Sequence, residues 1–296
     1  MPMYSKESIP ISCQSITKLN NYEDEVITLC LLSWMSADKL IYIILFDLNQ
    51  WYKEQMPNVG DWREMPSYIA AFPLGTGNPI DICIDNNSIA TFNSIQRPEE
   101  HFYPNSLCFD CLLLNEGKCV RLHWQGLQNK ALEMLTTGGS KAILEPNVYF
   151  HAILNANLVP LFLDYSVDNN LALEIKREVL LSLALEYNCI GLLKQCAYVW
   201  ADGSHQGKYP NEGLSLSTLT EWIWNRSNCI KESCNDLCIP LFDHSGRRID
   251  HRSQKILSHC ARQLKLLADL LEMIINSCHR YIPNEGNICI MLNPSD

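Results

Sequence analysis

The sequence has no unbroken apolar run of the roughly 20 residues that a membrane helix needs. Its longest apolar region, Val26 to Leu48, is interrupted near the middle by Ser36, Asp38 and Lys39. Two short strands joined by a turn fit that pattern better than one spanning helix. Met1 to Glu7 lacks the apolar h-region of a signal peptide. Positive charge is also scarce, with 23 Lys and Arg against 33 Asp and Glu, a formal net charge of -10 and a pI near 5.3. Bulk electrostatic coating of DNA needs concentrated Lys and Arg, so only a local patch could meet phosphate. The Gly75/Gly77 pair has no third glycine and no following Lys-Ser or Lys-Thr, which excludes a phosphate loop. No nucleophile elbow is present, and Ser, Cys, His and carboxylates are scattered. An enzyme is therefore not expected.

Cysteine is abundant, at 14 in 296 residues. A disulfide framework belongs to short secreted chains, so these cysteines read as reduced, mostly buried thiols. Two groups have metal-ligand chemistry. Cys108-Phe109-Asp110-Cys111 with Cys119 forms one Cys-x-x-Cys knuckle, and no second knuckle accompanies it. Cys229, Cys234, Cys238, His244, His251, His259 and Cys260 are the right residue types at spacings that match no zinc finger. The favoured reading has no cofactor and no metal; a small Cys/His metal-binding adaptor is the alternative, and a cytosolic hydrolase a weaker third.

The first half reads as β. Ile27 to Trp34, Leu40 to Phe46, Ile80 to Ile84 and Ile89 to Phe92 are short aliphatic and aromatic runs. Phe109 to Leu114 and Cys119 to Trp124 predict a hairpin, with Gly117 supplying a positive φ in the turn. Pro73 to Pro79 and Arg97 to Asn105 read as loops, and no Trp-Asp blade signature appears. Such strands suggest a sandwich or a propeller. Leu45 to Pro57 and Leu237 to Asp243 look like fixed joints, where apolar anchors meet turn-forming Asp, Asn and Pro.

The second half reads as α. A helix is expected over Leu171 to Tyr187 with Asp168 as its N-cap, and a shorter partner over Ile190 to Trp200. Leu219, Trp222, Ile223 and Cys229 or Ile230 mark an amphipathic stretch opened by the capping box Thr218 to Glu221. A last helix runs from about Arg252 to Cys278, with Leu257, Cys260, Leu264, Leu267, Leu271 and Ile274 as its buried stripe. Ala201 to Gly213 reads as an exposed loop, and the domain boundary as lying between Thr136 and Asp168.

The basic segment from Arg247 to Lys265 is the one candidate contact site. Arg252, Lys255, His259 and Arg262 recur at three, four and three residues, which places them on one helical face opposite the leucines. With Arg247 and Arg248 they could meet an acidic partner or DNA phosphate. A plain solvated helix face is the alternative.

Taken in order, Cys13-Gln14-Ser15-Ile16, Leu45 to Pro57, Pro98 to Asn105, Phe109 to Leu113 and Gly126-Leu127-Gln128 resemble the ELYS family of nucleoporins. So do Gly191-Leu192-Leu193, Trp222 to Asn225, Leu237 to Asp243 and Ile249-Asp250. The resemblance implies a seven-bladed β-propeller followed by an α-helical domain and a long tail carrying a DNA-binding AT-hook. It further implies chromatin binding late in mitosis and recruitment of the Y-shaped nucleoporin subcomplex. On that basis residues 1–140 would be the last propeller blades, 165–280 a solenoid-like helical domain and 281–296 a tail. The earlier blades and the AT-hook have no counterpart here, so no binding residue is carried over. The implied location is the nucleus, at the envelope and its pores, or the cytoplasm if a truncated form is not retained. No small-molecule substrate and no membrane insertion are implied.

Overall fold

The computed structural model describes residues 8–19, 26–55, 68–96, 98–163, 166–202, 214–242 and 250–281. The chain divides into two compact units, Met1–Lys130 and Ala131–Asp296. Among the described residues the order is β, then α.

In the first unit, β1 (Ile9–Leu19), β2 (Val26–Met35), β3 (Leu40–Asp47) and β4 (Ile69–Thr76) form one antiparallel sheet in sequential order. A second antiparallel sheet comprises β5 (Pro79–Ile84), β6 (Phe109–Asn115) and β7 (Lys118–Trp124). Period-two alternation sends Leu29 and Leu31, Ile41, Ile43 and Leu45, and Ala70 and Phe72 to the inner face of the first sheet. Ile82, Ile84, Phe109, Cys111 and Leu113 come from the second sheet into the same core. Each fully buried Leu, Ile or Phe stabilises by roughly 1.5–3 kcal/mol, so this shared core holds the unit together. Phe72 is its aromatic pivot, with its ring centroid 5.7 Å from Phe109 and 4.2 Å from Trp124. Across the two sheets, the Gln14 side chain donates from Nε2 to the Ile82 carbonyl at 2.7 Å.

Several expectations change here. Pro73 to Thr76 is not loop but the end of β4, with Tyr42 opposite Pro73 and Ile41 opposite Gly75, so Leu74 is bulged. Proline fits because β4 is an edge strand, where a ladder donor can be missing. Ile89 to Phe92 is not a strand; it contributes one bridge, Ala90 to Cys108. The stretch after Arg97, itself outside the described residues, coils into two 3₁₀ turns, Glu99–Phe102 and Pro104–Ser106. The joint at Leu45 to Pro57 is the end of β3 running into α1 (Leu48–Gln55); Met56 and Pro57 lie outside the described residues. Asp47 caps that helix by accepting from the Gln50 N–H at 3.0 Å. Gly117 does take a positive φ, +81°, in the β6–β7 turn.

Helices α2 (Gly126–Gly138), α3 (Ser140–Leu144) and α4 (Pro146–Asn155) lie where no helix was expected. Gly139, φ +55°, separates α2 from α3, and a Cβ there would run into Gln195 Oε1. That same oxygen accepts the Ser140 N–H at 3.1 Å, so α6 (Ile190–Asp202) caps the start of α3. α5 (Leu173–Glu186) is buried continuously from Val179 to Glu186, the pattern of a helix surrounded by others. It packs against α3, α4, α6 and α8. Asp168 does not cap it; that carboxylate accepts from the Asn170 N–H, and the N-cap is Ala172.

The unit ends with the pair α7 (Leu216–Phe242) and α8 (His251–Tyr281). The capping box of α7 uses Ser215 and Thr218 rather than Thr218 and Glu221. Ser215 N–H donates to Thr218 Oγ1 at 3.3 Å, and Thr218 N–H to Ser215 Oγ at 3.4 Å. The second expected joint, from Leu237, is helical to Phe242, passing through Pro240; Asp243 lies outside the described residues.

Candidate partner-binding face and the ionic clamp beneath it

Helix α8 starts at a strong cap. Asp250 accepts the Ser253 N–H and hydroxyl, both at 2.8 Å, and these bonds hold its carboxyl below the usual carboxylate range. The helix buries Cys260, Leu267, Leu270 and Ile274. Leu257, Leu264 and Leu271 flank this stripe half-buried. Arg252, Lys255 and Arg262 are exposed, as is Lys265. Arg247, Arg248 and His244 lie outside the described residues.

His259 does not share the exposed face. It is 7% exposed and lies on the buried side with Gln263, which is 1% exposed. Arg262 Nη2 donates to His259 Nδ1 at 2.7 Å. Burial, then Arg262 and Arg226, pull the imidazole down to about 4, so it is neutral near pH 7. Its hydrogen must then sit on Nε2, 2.6 Å from the Gln263 amide. Only the amide oxygen can accept it, and Gln263 Oε1 otherwise has no partner, so the amide turns its oxygen to the ring.

Within the helical unit lies a polar clamp that sequence reading missed. Glu186 on α5 is 4% exposed and Arg226 on α7 is 3% exposed. Between them runs the segment after α4. Leu161 N–H donates to Glu186 Oε2 at 2.8 Å, while Arg226 Nη1 donates to the Leu161 carbonyl at 2.9 Å. Cys229 Sγ–H donates to the next carbonyl, that of Phe162, at 3.0 Å. Phe162 has φ +58°, a backbone state a bulky residue holds only under such restraint. Burial pushes Glu186 up to about 7, against the Leu161 N–H and the Arg226 charge. Glu178 is likewise raised by burial, with Arg226 opposing. A signal for the clamp exists in the sequence. Arg226 follows Trp222 by four residues and Ile223 by three, and precedes Ile230 by four, so it falls on the apolar stripe of α7.

Of the two metal candidates, the described thiols lie as follows, with His244 outside the described residues. Cys108 Sγ donates to the Gln125 carbonyl at 2.8 Å, and Cys111 faces the core. Cys260 is buried and meets Cys234. Among the described residues no three His, Cys, Asp or Glu side chains are grouped to hold a metal ion. On the first unit, Asp110 pairs with His123 and Arg121 at the surface, and these bonds lower its carboxyl. No described helix is long and apolar enough to cross a membrane.

These features define the class: antiparallel sheets followed by helices, with a clamped helical unit and a basic surface helix. Comparison with known proteins narrows it. No protein-family model matches the chain. It is 28% identical over 278 residues to Protein ELYS of Homo sapiens, covering 84% of this chain and 12% of that protein. It is also 28% identical over 250 residues to Protein ELYS of Xenopus laevis, covering 79% of this chain and 10% of that one. The matches support an ELYS-like relationship, and the chain spans about a tenth of the length of these relatives.

Proposed function

We propose that the chain is a non-enzymatic, ELYS-like scaffold that works in nuclear pore complex assembly. The observation that carries this reading is the extent of the similarity. A match to 84% of the chain must include parts of both units, since neither alone is that large.

In this reading residues 1–140 are the last blades of a β-propeller, 165–280 the opening of a solenoid-like domain and 281–296 a tail. The chain is a piece of a longer product or a short paralogue. It resides at nuclear pores, with the Y-shaped nucleoporin subcomplex and chromatin as partners. Arg252, Lys255 and Arg262, together with Arg247 and Arg248, form the contact for phosphate or an acidic partner.

A tagged chain expressed in cells tests this directly. Rim staining of the nuclear envelope with co-purification of Y-subcomplex nucleoporins is the expected result. Diffuse staining with no nucleoporin recovered would overturn it. Charge reversal at Arg252, Lys255 and Arg262 should release chromatin from the wild-type pull-down, and undiminished recovery would remove the basic face. An immunoblot of the native product, read against 33.9 kDa, separates a piece from a short paralogue.

A further inference from the structure

The first sheet carries a thiol pair that the scaffold role does not use. Cys13 lies on β1 and Cys30 on β2, paired in an antiparallel register that sets Cys13 opposite Leu32 and Ser15 opposite Cys30. The two cysteines are therefore diagonal neighbours. Leu29 and Leu31 point to the core, so Cys30 and Leu32 point to the other face, and Cys13 joins them there. Cys13 is exposed and Cys30 half-buried. Burial, then the neighbouring Cys13, raises the Cys30 thiol above its ordinary range.

We propose that Cys13 and Cys30 form a reversible, oxidant-responsive disulfide site, with hydroperoxides as the oxidant class. The exposed Cys13 thiolate attacks the peroxide O–O bond, giving the Cys13 sulfenic acid and releasing hydroxide or alkoxide. The Cys30 sulfur then attacks the Cys13 sulfur. The S–S bond forms, the sulfenic oxygen leaves as water after taking up a proton, and the cysteines have lost two electrons to the peroxide.

Diagonal Cα atoms on paired strands stand about 7–8 Å apart, and a disulfide spans at most about 7 Å, so β1 must shift slightly to close it. β1 can do so because it is the sheet's edge, hydrogen-bonded in a ladder on one side only, and its register is already irregular between Pro10 and Ser12. A bridge closed by strand movement, at an exposed place, is the kind that mild thiols reopen. A nuclear protein would carry such a bond transiently, as a response rather than a staple.

The molecule supplies its own control. Cys234 and Cys260 are also neighbours, but Cys260 is 1% exposed and burial, then Cys234, pushes its thiol up to about 12. The full chain is treated with hydrogen peroxide, the free thiols are alkylated, and the linked peptides are identified by mass spectrometry without reduction. The expected result is a Cys13–Cys30 linkage that forms before any Cys234–Cys260 linkage and disappears with dithiothreitol. Cys13→Ser and Cys30→Ser should each abolish it, and in Cys30→Ser the Cys13 sulfenic acid should be trapped by dimedone. Over-oxidation of Cys13 in the wild type with no Cys30 linkage would overturn the proposal. So would a Cys234–Cys260 linkage that forms equally fast.

Discussion

Glu186 and His259 titrate in opposite senses across nearly the same pH range, and replacing Glu186 with Gln should expose this. Glu186 is raised from 4.5 to about 7. The folded state therefore holds its proton where the unfolded state has lost it. This group's stabilisation is complete below pH 4.5 and is lost as pH rises to about 7. His259 is lowered from 6.5 to about 4, so the unfolded state binds the extra proton. Its stabilisation is complete above pH 6.5 and is lost as pH falls to about 4. Each shift spans about two and a half units, or roughly 3 kcal/mol at 1.36 kcal/mol per unit. Between about pH 4.5 and 6.5 the two slopes nearly cancel. Glu186→Gln keeps an acceptor for the Leu161 N–H but removes the falling slope. Compared with wild type, the variant should gain roughly 3 kcal/mol of stability between pH 4.5 and 7, on top of any constant offset from leaving Arg226 less well balanced. Urea unfolding followed by far-UV circular dichroism at a series of pH values reads this difference, because all other titrations are shared. A difference that stays constant with pH, or that declines, would refute the reasoning. His259→Gln should show the mirror image.

Arg226→Met should cost roughly 1–3 kcal/mol at neutral pH, since the buried Leu161 carbonyl loses its donor; denaturant midpoints check it, and no measurable loss would mean the clamp is dispensable. Gly139→Ala forces a Cβ onto Gln195 Oε1 at a positive φ and should cost roughly 1–3 kcal/mol; Gln195→Ala in the same chain should recover part of the loss of melting temperature.

Regular burial made much of the fold legible. β2, β3 and the β6–β7 hairpin announce themselves by aliphatic runs, α5 by its helix-forming composition, and α8 by repeats of three and four. β1 was hidden because Ser12, Cys13, Gln14 and Ser15 give an edge strand little apolar pattern. β4 was hidden because Pro73 and Gly75 read as punctuation, whereas an edge strand with a bulge accepts both. α2 to α4 were hidden by Gly138, Gly139 and Pro146, which separate helices rather than ending the helical region. At the candidate face, periodicity located Arg252, Lys255 and Arg262 on the outside, but it also put His259 there. Spacing alone ranks His259 with its basic neighbours and carries no sign of burial. The helical unit instead buries Glu186, Arg226 and His259 by bonding each of them.

The bulge at Leu74 has a consequence for how the first sheet could grow. Beside β4, Pro73 interrupts the row of amide hydrogens and the bulge twists the strand, so an incoming strand would find no continuous template. Beside β1 the second sheet already lies alongside, with β5 packed on that strand and Gln14 bonded to the Ile82 carbonyl. The sheet is therefore guarded on both flanks, by an irregular strand on one and by the second sheet on the other. A strand recruited from elsewhere in a larger assembly would have to displace β5 before it could pair with β1, so the first unit resists growth by strand addition.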